Sequence, residues 1–425
     1  MMQLTAEQKS MLDGEQGEVM AKIMKTLVMY GEAFGAERMA PVTGKNGHIV
    51  TSFGLSLMTP LYRLMDTLIE GGVKSKQPFS ADPRPIDKRL PATLIQKIVF
   101  GVMYGKQADY EAQLRKLGLL GDAAFTCTCY MDEVGNTPQE GEVLSWAESS
   151  AVVYANSVLG ARCNRNSGII EIFGSIAGCV PCFGFLTDEG RRATWIVEVK
   201  TTGTPEAQVL GSAIGMKVME DVPYIRGLDK FIGSELTQDA KDYLKDMGAA
   251  TASNGAVGLY HVENLTPEAV KLGDTLIAEN AKTYVVDDEE MKRIKDGYPC
   301  IWKDKNAAPK LAFVGCPHLS LNQLKDWTNR VTSALKDAGR KRVAIKTVFT
   351  AAPDVLDAFE KTEEYAALKK AGVVASYICP LMYMNNPKCR EMPAITNSNK
   401  LRTYTGARYH TDAELLKLIV EGGKQ

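Results

Sequence analysis

Four short β-rich runs, 195–199, 310–315, 343–349 and 372–378, alternate with stretches whose apolar residues recur at helical spacing. That alternation constrains the fold most, because strands separated by helices pair in parallel within an α/β architecture. Residues 145–159 follow the 3.6-residue period, with Trp146, Val153 and Val158 facing inward and Glu148 and Ser149 opening the helix. Thr5 and Gln8 have capping-box spacing, and Met11, Val19, Ile23, Leu27 and Met29 continue a helical series. Gly14 and Gly17 weaken its first turns. The three prolines of 77–86 predict an ordered loop, and 94–104 predicts a helix or a buried strand. No repeat is visible. The softest stretches, 203–205 and 251–258, read as surface loops, so residues 1–425 form a single functional unit on this reading.

Active groups in α/β folds gather at the carboxyl ends of strands, and two cysteines fall there. Cys316 follows one run in Gly315-Cys316-Pro317-His318, and Cys379 follows another in Tyr377-Ile378-Cys379-Pro380. A third, Cys127, sits among polar residues in Thr126-Cys127-Thr128-Cys129-Tyr130. Thiolates at three loop tips suit one soft metal centre. Their spacing alone fits buried free thiols as well, since close cysteine runs are what mark an iron–sulfur site in a sequence. Cys179-Val180-Pro181-Cys182 has the spacing of a redox dithiol or half a zinc site. It lies at no strand-to-helix junction and reads as a structural pair.

Composition excludes several classes. A formal net charge of −1 over 425 residues gives no reason to expect nucleic acid or an anionic membrane as a partner. No apolar run reaches membrane-spanning length. The start, Met1-Met2-Gln3-Leu4-Thr5, lacks the layout of a secretory signal. Nine cysteines without regular spacing point to a reducing, cytoplasmic setting.

Longer words in the sequence sharpen the reading. Glu148-Ser149-Ser150-Ala151-Val152, followed by Ala155-Asn156-Ser157-Val158-Leu159-Gly160-Ala161-Arg162-Cys163-Asn164-Arg165, resembles the central block of the aconitase X family. Cys127-Thr128-Cys129-Tyr130 looks like that family's CTPY segment, with Cys129 in place of proline. Gly315-Cys316-Pro317-His318-Leu319-Ser320 resembles its GCPHxS segment. Cys379 with Thr396-Asn397-Ser398-Asn399-Lys400 resembles its C-terminal cysteine and TNSxK pair. The likeness runs from residue 4 to about residue 408.

The resemblance implies an aconitase-like, multi-lobed α/β/α architecture with parallel or mixed sheets and without the swivel domain. It also implies an iron–sulfur cluster, of uncertain type, held by Cys127, Cys316 and Cys379. The expected chemistry is dehydration of a small hydroxy acid: an open iron activates the hydroxyl, and a base takes the proton from the neighbouring carbon. In aconitase-like enzymes that base is a serine on the swivel. No counterpart of the swivel follows the matched region up to Gln425, so a small swivel-domain subunit is the expected partner.

Known family activities imply cis-3-hydroxy-L-proline or mevalonate 5-phosphate as substrate. Nine cysteines and 18 methionines lean away from a hyperthermophile, and so toward the amino acid. His318 and Ser149 are the candidate catalytic residues within the chain. His48, Ser80, Arg84, Asn156, Arg162, Asn164, Arg165 and Lys400 are the candidate substrate-binding residues, arginine's planar fork being suited to carboxylate or phosphate. The segment Ser80-Ala81-Asp82-Pro83-Arg84-Pro85-Ile86-Asp87 resembles a substrate-facing loop of the family but departs from its usual Thr-Thr-Leu-Asn form, which bears on substrate identity. A noncatalytic metal-binding or redox-sensing protein built on Cys179 and Cys182 is the alternative from another class.

Overall fold

The structure is a computed structural model that describes residues 2–90 and 92–423. At the N-terminus the helical series divides into two helices, Ala6–Leu12 and Glu18–Ala33. Thr5 and Gln8 close the capping box of the first. Gly14 and Gly17 then take φ of +88° and +98°, a region that glycine enters without steric cost. The break between the helices follows from them.

The strands are β1 (Met39–Pro41), β2 (Gly47–Ile49), β3 (Phe79–Ala81) and β4 (Cys179–Pro181) in the first part of the chain. Then follow β5 (Ala193–Val199), β6 (Pro223–Arg226), β7 (His261–Val262) and β8 (Ile277–Val286). The last are β9 (Leu311–Leu319), β10 (Lys346–Ala351), β11 (Val374–Ser376), β12 (Ala394–Thr396) and β13 (Arg408–Tyr409). Two parallel sheets dominate, in the orders β7-β6-β5-β8 and β11-β10-β9-β12-β13. Strand β9 is buried along its whole length, which explains its nearly unbroken apolar run.

Two smaller ladders position the site. β1 pairs antiparallel with β4, and β2 pairs parallel with β3. The loop expected over 77–86 therefore contains a buried strand. Single parallel bridges extend this ladder, from Ala81 to Phe125 and from His48 to Trp146. Asp82 is thereby brought beside the Cys127 peptide, and Glu148 beside His48. The helix of the central block runs Ser149–Ser157, with Trp146 ahead of it. The other soft stretch, 251–258, begins inside the long helix Gln238–Asn254, where Thr251 is fully buried. One apolar core includes residues from Cys129 to Val420.

Candidate active site

Each of the three cysteine peptides is shaped by a different element. Cys127 lies in the turn after the Ala81–Phe125 bridge. Cys316 lies on a bulge of β9: Val314 pairs with Phe349, but the next paired residue, Leu319, faces Ala351. Gly315 permits the bulge with φ +110°, and a Cβ there would sit 2.4 Å from the Thr350 carbonyl oxygen. Cys379 precedes the short helix Pro380–Asn385, and its backbone N–H donates to the Arg84 carbonyl at 2.8 Å.

One histidine ties these peptides together. The backbone N–H of His318 donates to Cys127 Sγ at 3.4 Å. Its ring Nε2 lies 3.0 Å from the Ile378 carbonyl oxygen, and Nδ1 lies 3.0 Å from Thr126 Oγ1. A carbonyl only accepts, so Nε2 carries the proton and Nδ1 accepts from the Thr126 hydroxyl. Burial lowers this imidazole to a pKa of about 4, leaving it neutral. Both nitrogens are committed. The proton-donating role expected of His318 gives way to a structural one.

A buried ion pair stands next to the sulfurs. Lys400 Nζ donates to Glu148 Oε1 and, at 3.2 Å, to Ser149 Oγ. The other Glu148 oxygen accepts from the Ala151 N–H and the Ser150 hydroxyl, both at 2.7 Å. Burial would raise the Glu148 carboxyl, but Lys400 and these donors pull it down to about 2. Burial likewise opposes charge on Lys400, yet Glu148, Cys316 and Cys127 together raise its pKa. The Cys379 thiol is raised first by burial and next by Cys316, so Cys316 interacts with both other sulfurs. Among the described residues, no three His, Cys, Asp or Glu side chains gather around a single-ion position.

The Glu148 carboxyl predicts a pH dependence. Held below its usual 4.5, it contributes stability above that pH and loses it as pH falls toward 2. Thermal melts should show Tm dropping through this window, and Glu148→Gln should flatten the drop. An unchanged acid limb in the variant would contradict the assignment.

A second wall comes from β2 and β3, whose register sets His48 beside Ser80. His48 Nδ1 and Ser80 Oγ are 2.9 Å apart, and Nε2 lies 3.5 Å from Asp82 Oδ1. Burial would lower the imidazole, but Cys129 and Asp82 reverse the sign and raise it. The Asp82 carboxyl is raised by burial while sensing Glu148 and Lys400, so the two walls face a common space. His48 Nε2, Asp82 Oδ1 and Arg165 Nη1 are buried without a hydrogen-bond partner. Such atoms cost about 1–3 kcal/mol each unless a ligand or water satisfies them.

Four other expected substrate contacts are already spent within the protein. Arg84 forms a two-pronged pair with Glu111 at 2.8 and 3.0 Å and lies over the Phe125 ring. Asn156 closes on the Cys163 and Gly258 carbonyls, both at 2.8 Å. Arg162 bonds the Leu186 carbonyl and Asp188. Asn164 spans Phe183 and Phe185. These are clamps on loops, whereas Arg165 in the same block has a buried Nη1 without a hydrogen-bond partner. Asp82 and Glu148 are additions to the expected set; both lay within quoted segments, but as loop and helix-opening residues. Cys179 lies in β4 and is buried.

The family model described as Aconitase X first domain matches residues 1–189, and that described as Aconitase X second domain matches 193–296. The chain belongs to the aconitase X family. Its aconitase X relatives are dehydratases, and the chain is accordingly an enzyme of the hydro-lyase class. It is 31% identical to the phosphomevalonate dehydratase large subunit of Thermococcus kodakarensis, over 76% of both chains. With the Methanocaldococcus jannaschii large subunit it shares 32%, over 76% of this chain and 77% of that one. The cis-3-hydroxy-L-proline dehydratase of Pseudomonas aeruginosa is 26% identical over 87% of this chain, but only 60% of its own length. The crystal structure of Thermococcus kodakaraensis aconitase X in its holo-form superposes with a TM-score of 0.81 at 28% identity. That match covers 99% of this chain and 100% of the other. The aconitase X fold thus accounts for the α/β architecture and its parallel sheets. No helix among the described residues is long and apolar enough to cross a membrane.

Proposed function

We propose that this chain is the large subunit of an iron–sulfur-dependent dehydratase, acting on cis-3-hydroxy-L-proline with a small swivel subunit. The observation that carries the reading is the meeting of the Cys127, Cys316 and Cys379 peptides at His318, with Lys400 against two of their sulfurs. Cys316 interacts with both Cys127 and Cys379, and soft thiolates brought to one place suit an iron–sulfur group. Cys127, Cys316 and Cys379 would hold it, and its open iron would supply a Lewis acid for the departing hydroxyl. Nine free cysteines favour a reducing cytoplasm as the place of action.

The chain's own residues bind and orient. Arg165 has a buried guanidinium nitrogen without a hydrogen-bond partner for the substrate carboxylate, and Asp82, 3.5 Å from the His48 ring, would meet the ring ammonium. His48 and Ser80 hold the Asp82 wall in register. Lys400 offsets negative charge at the sulfurs, while Glu148 and Ser149 fix its ammonium. The proton on the neighbouring carbon goes to the base expected on the swivel subunit.

A zwitterion suits a site that offers both a guanidinium nitrogen without a hydrogen-bond partner and a carboxylate. Mevalonate 5-phosphate is the second reading, favoured by the higher identity of the phosphomevalonate relatives and by the larger share of their own length that the match covers. Double-bond formation from each compound, with the small subunit present, decides between them. Asp82→Asn should cost roughly 10–100-fold in kcat/KM for cis-3-hydroxy-L-proline, the range of one charged hydrogen bond. Turnover of mevalonate 5-phosphate alone would give the second reading the substrate. Silence toward both would refute both substrates.

A further inference from the structure

The helix Leu94–Met103 is apolar on two opposite faces. Its inner face sets Phe100 into the core, 5.3 Å from Tyr383 between ring centroids. The outer face carries Leu94, Ile95, Ile98 and Val102, exposed by 75, 59, 59 and 71%. At helical spacing these four lie on one stripe about 100° wide. Lys97 is the only charged residue of the helix. A helix that is apolar all round is normally buried all round. Leu57, 93% exposed, and Met58 extend the stripe, because Ser56 bonds the Met103 and Val102 carbonyls at 2.7 Å each. Alongside lies a cavity of about 440 Å³ walled by Ile86, Leu90, Phe100 and Tyr383.

The inner side of the same helix leads to the cysteine site. Tyr104, which ends the helix, donates its hydroxyl to the Met382 carbonyl at 2.8 Å. Met382 belongs to the short helix that Cys379 precedes. On the other flank Asp87, in the cavity wall, accepts from Ser376 on β11 at 2.8 Å.

We propose that this stripe and its cavity dock the small swivel subunit, an inference that rests on the large-subunit reading above. A subunit bringing a base to the site must also grip the large chain beside it, and the helix that carries this stripe packs on the Cys379 helix through Phe100 and Tyr104. The phosphomevalonate relatives are named as large subunits. The Pseudomonas aeruginosa relative extends well beyond its match to this chain, room for the same element on one polypeptide. The cavity wall carries Lys88 and Lys97 beside Asp87, fewer than the cluster of about four to eight basic residues that draws proteins to anionic lipid.

Sedimentation velocity of the full chain titrated with the small subunit tests the docking. Ile98→Glu and Val102→Glu should each weaken the complex by at least about 30-fold, as at an interface hot spot. Val270→Glu, an exposed apolar site on the helix Pro267–Leu272, should leave it unchanged. Unaltered thermal melts would show that the variants fold. Wild-type affinity in both stripe variants would overturn the proposal, as would a wild-type chain that ignores the small subunit. So would a stripe whose charges instead break a dimer of this chain or its binding to anionic vesicles. Dehydration assayed in the same mixtures separates the two readings. A complex that forms, is broken by Ile98→Glu and acts on neither substrate leaves the docking face standing and removes the proposed reaction.

Discussion

Replacing Cys316 with serine should strip the protein of its cluster. Anaerobically purified wild-type chain is expected to show a visible iron–sulfur absorbance that bleaches on chelation or oxidation. The serine hydroxyl is a harder and poorer ligand for iron than a thiolate, and the β9 bulge leaves it no freedom to retreat, since Thr350 and Ser398 both bond the backbone there. The variant should lose the absorbance and, with the small subunit added, its dehydration. The double substitution Cys179→Ser with Cys182→Ser should keep both. The opposite pattern would move the metal to β4 and revive the redox-sensing alternative.

The second large effect is dependence on a partner. Without the small subunit the chain should turn over about 10²–10⁴-fold more slowly, the contribution of a well-placed general base. The polar groups of the described site account for this: His318 is bonded at both nitrogens, and Ser149 is held between Lys400 and Glu148. Closure by the partner would also exclude water and strengthen the electrostatics inside. Single-turnover rates with and without the small subunit measure the effect. Full activity of the chain alone would refute the split-enzyme reading.

The sequence made the architecture legible wherever the pattern was long. The run at 195–199 falls within β5 and that at 310–315 overlaps the start of β9, and the Thr5–Gln8 box caps a helix as expected. The three-residue strands β2 and β3 escaped because they are too short for a period of two to be visible. The site was legible in part. Lys400 and the cysteine peptides carry their own local words, whereas the fate of Arg84 depends on Glu111 and that of Arg162 on Asp188. Nothing near an arginine announces that its fork is already filled. Asp82 is conspicuous only in three dimensions, as a buried carboxylate oxygen 3.5 Å from the His48 ring.

The tie made by His318 also sets an order of events. Its two outward reaches span 191 residues to Cys127 and 60 to Ile378. During synthesis Cys127 leaves the ribosome long before His318 exists, and Cys379 later still. Loop closures of that length precede any gain from the contacts they allow. A cluster held as proposed would therefore be completed only by a nearly finished fold, and its metal would have to reach an almost native protein rather than a growing chain.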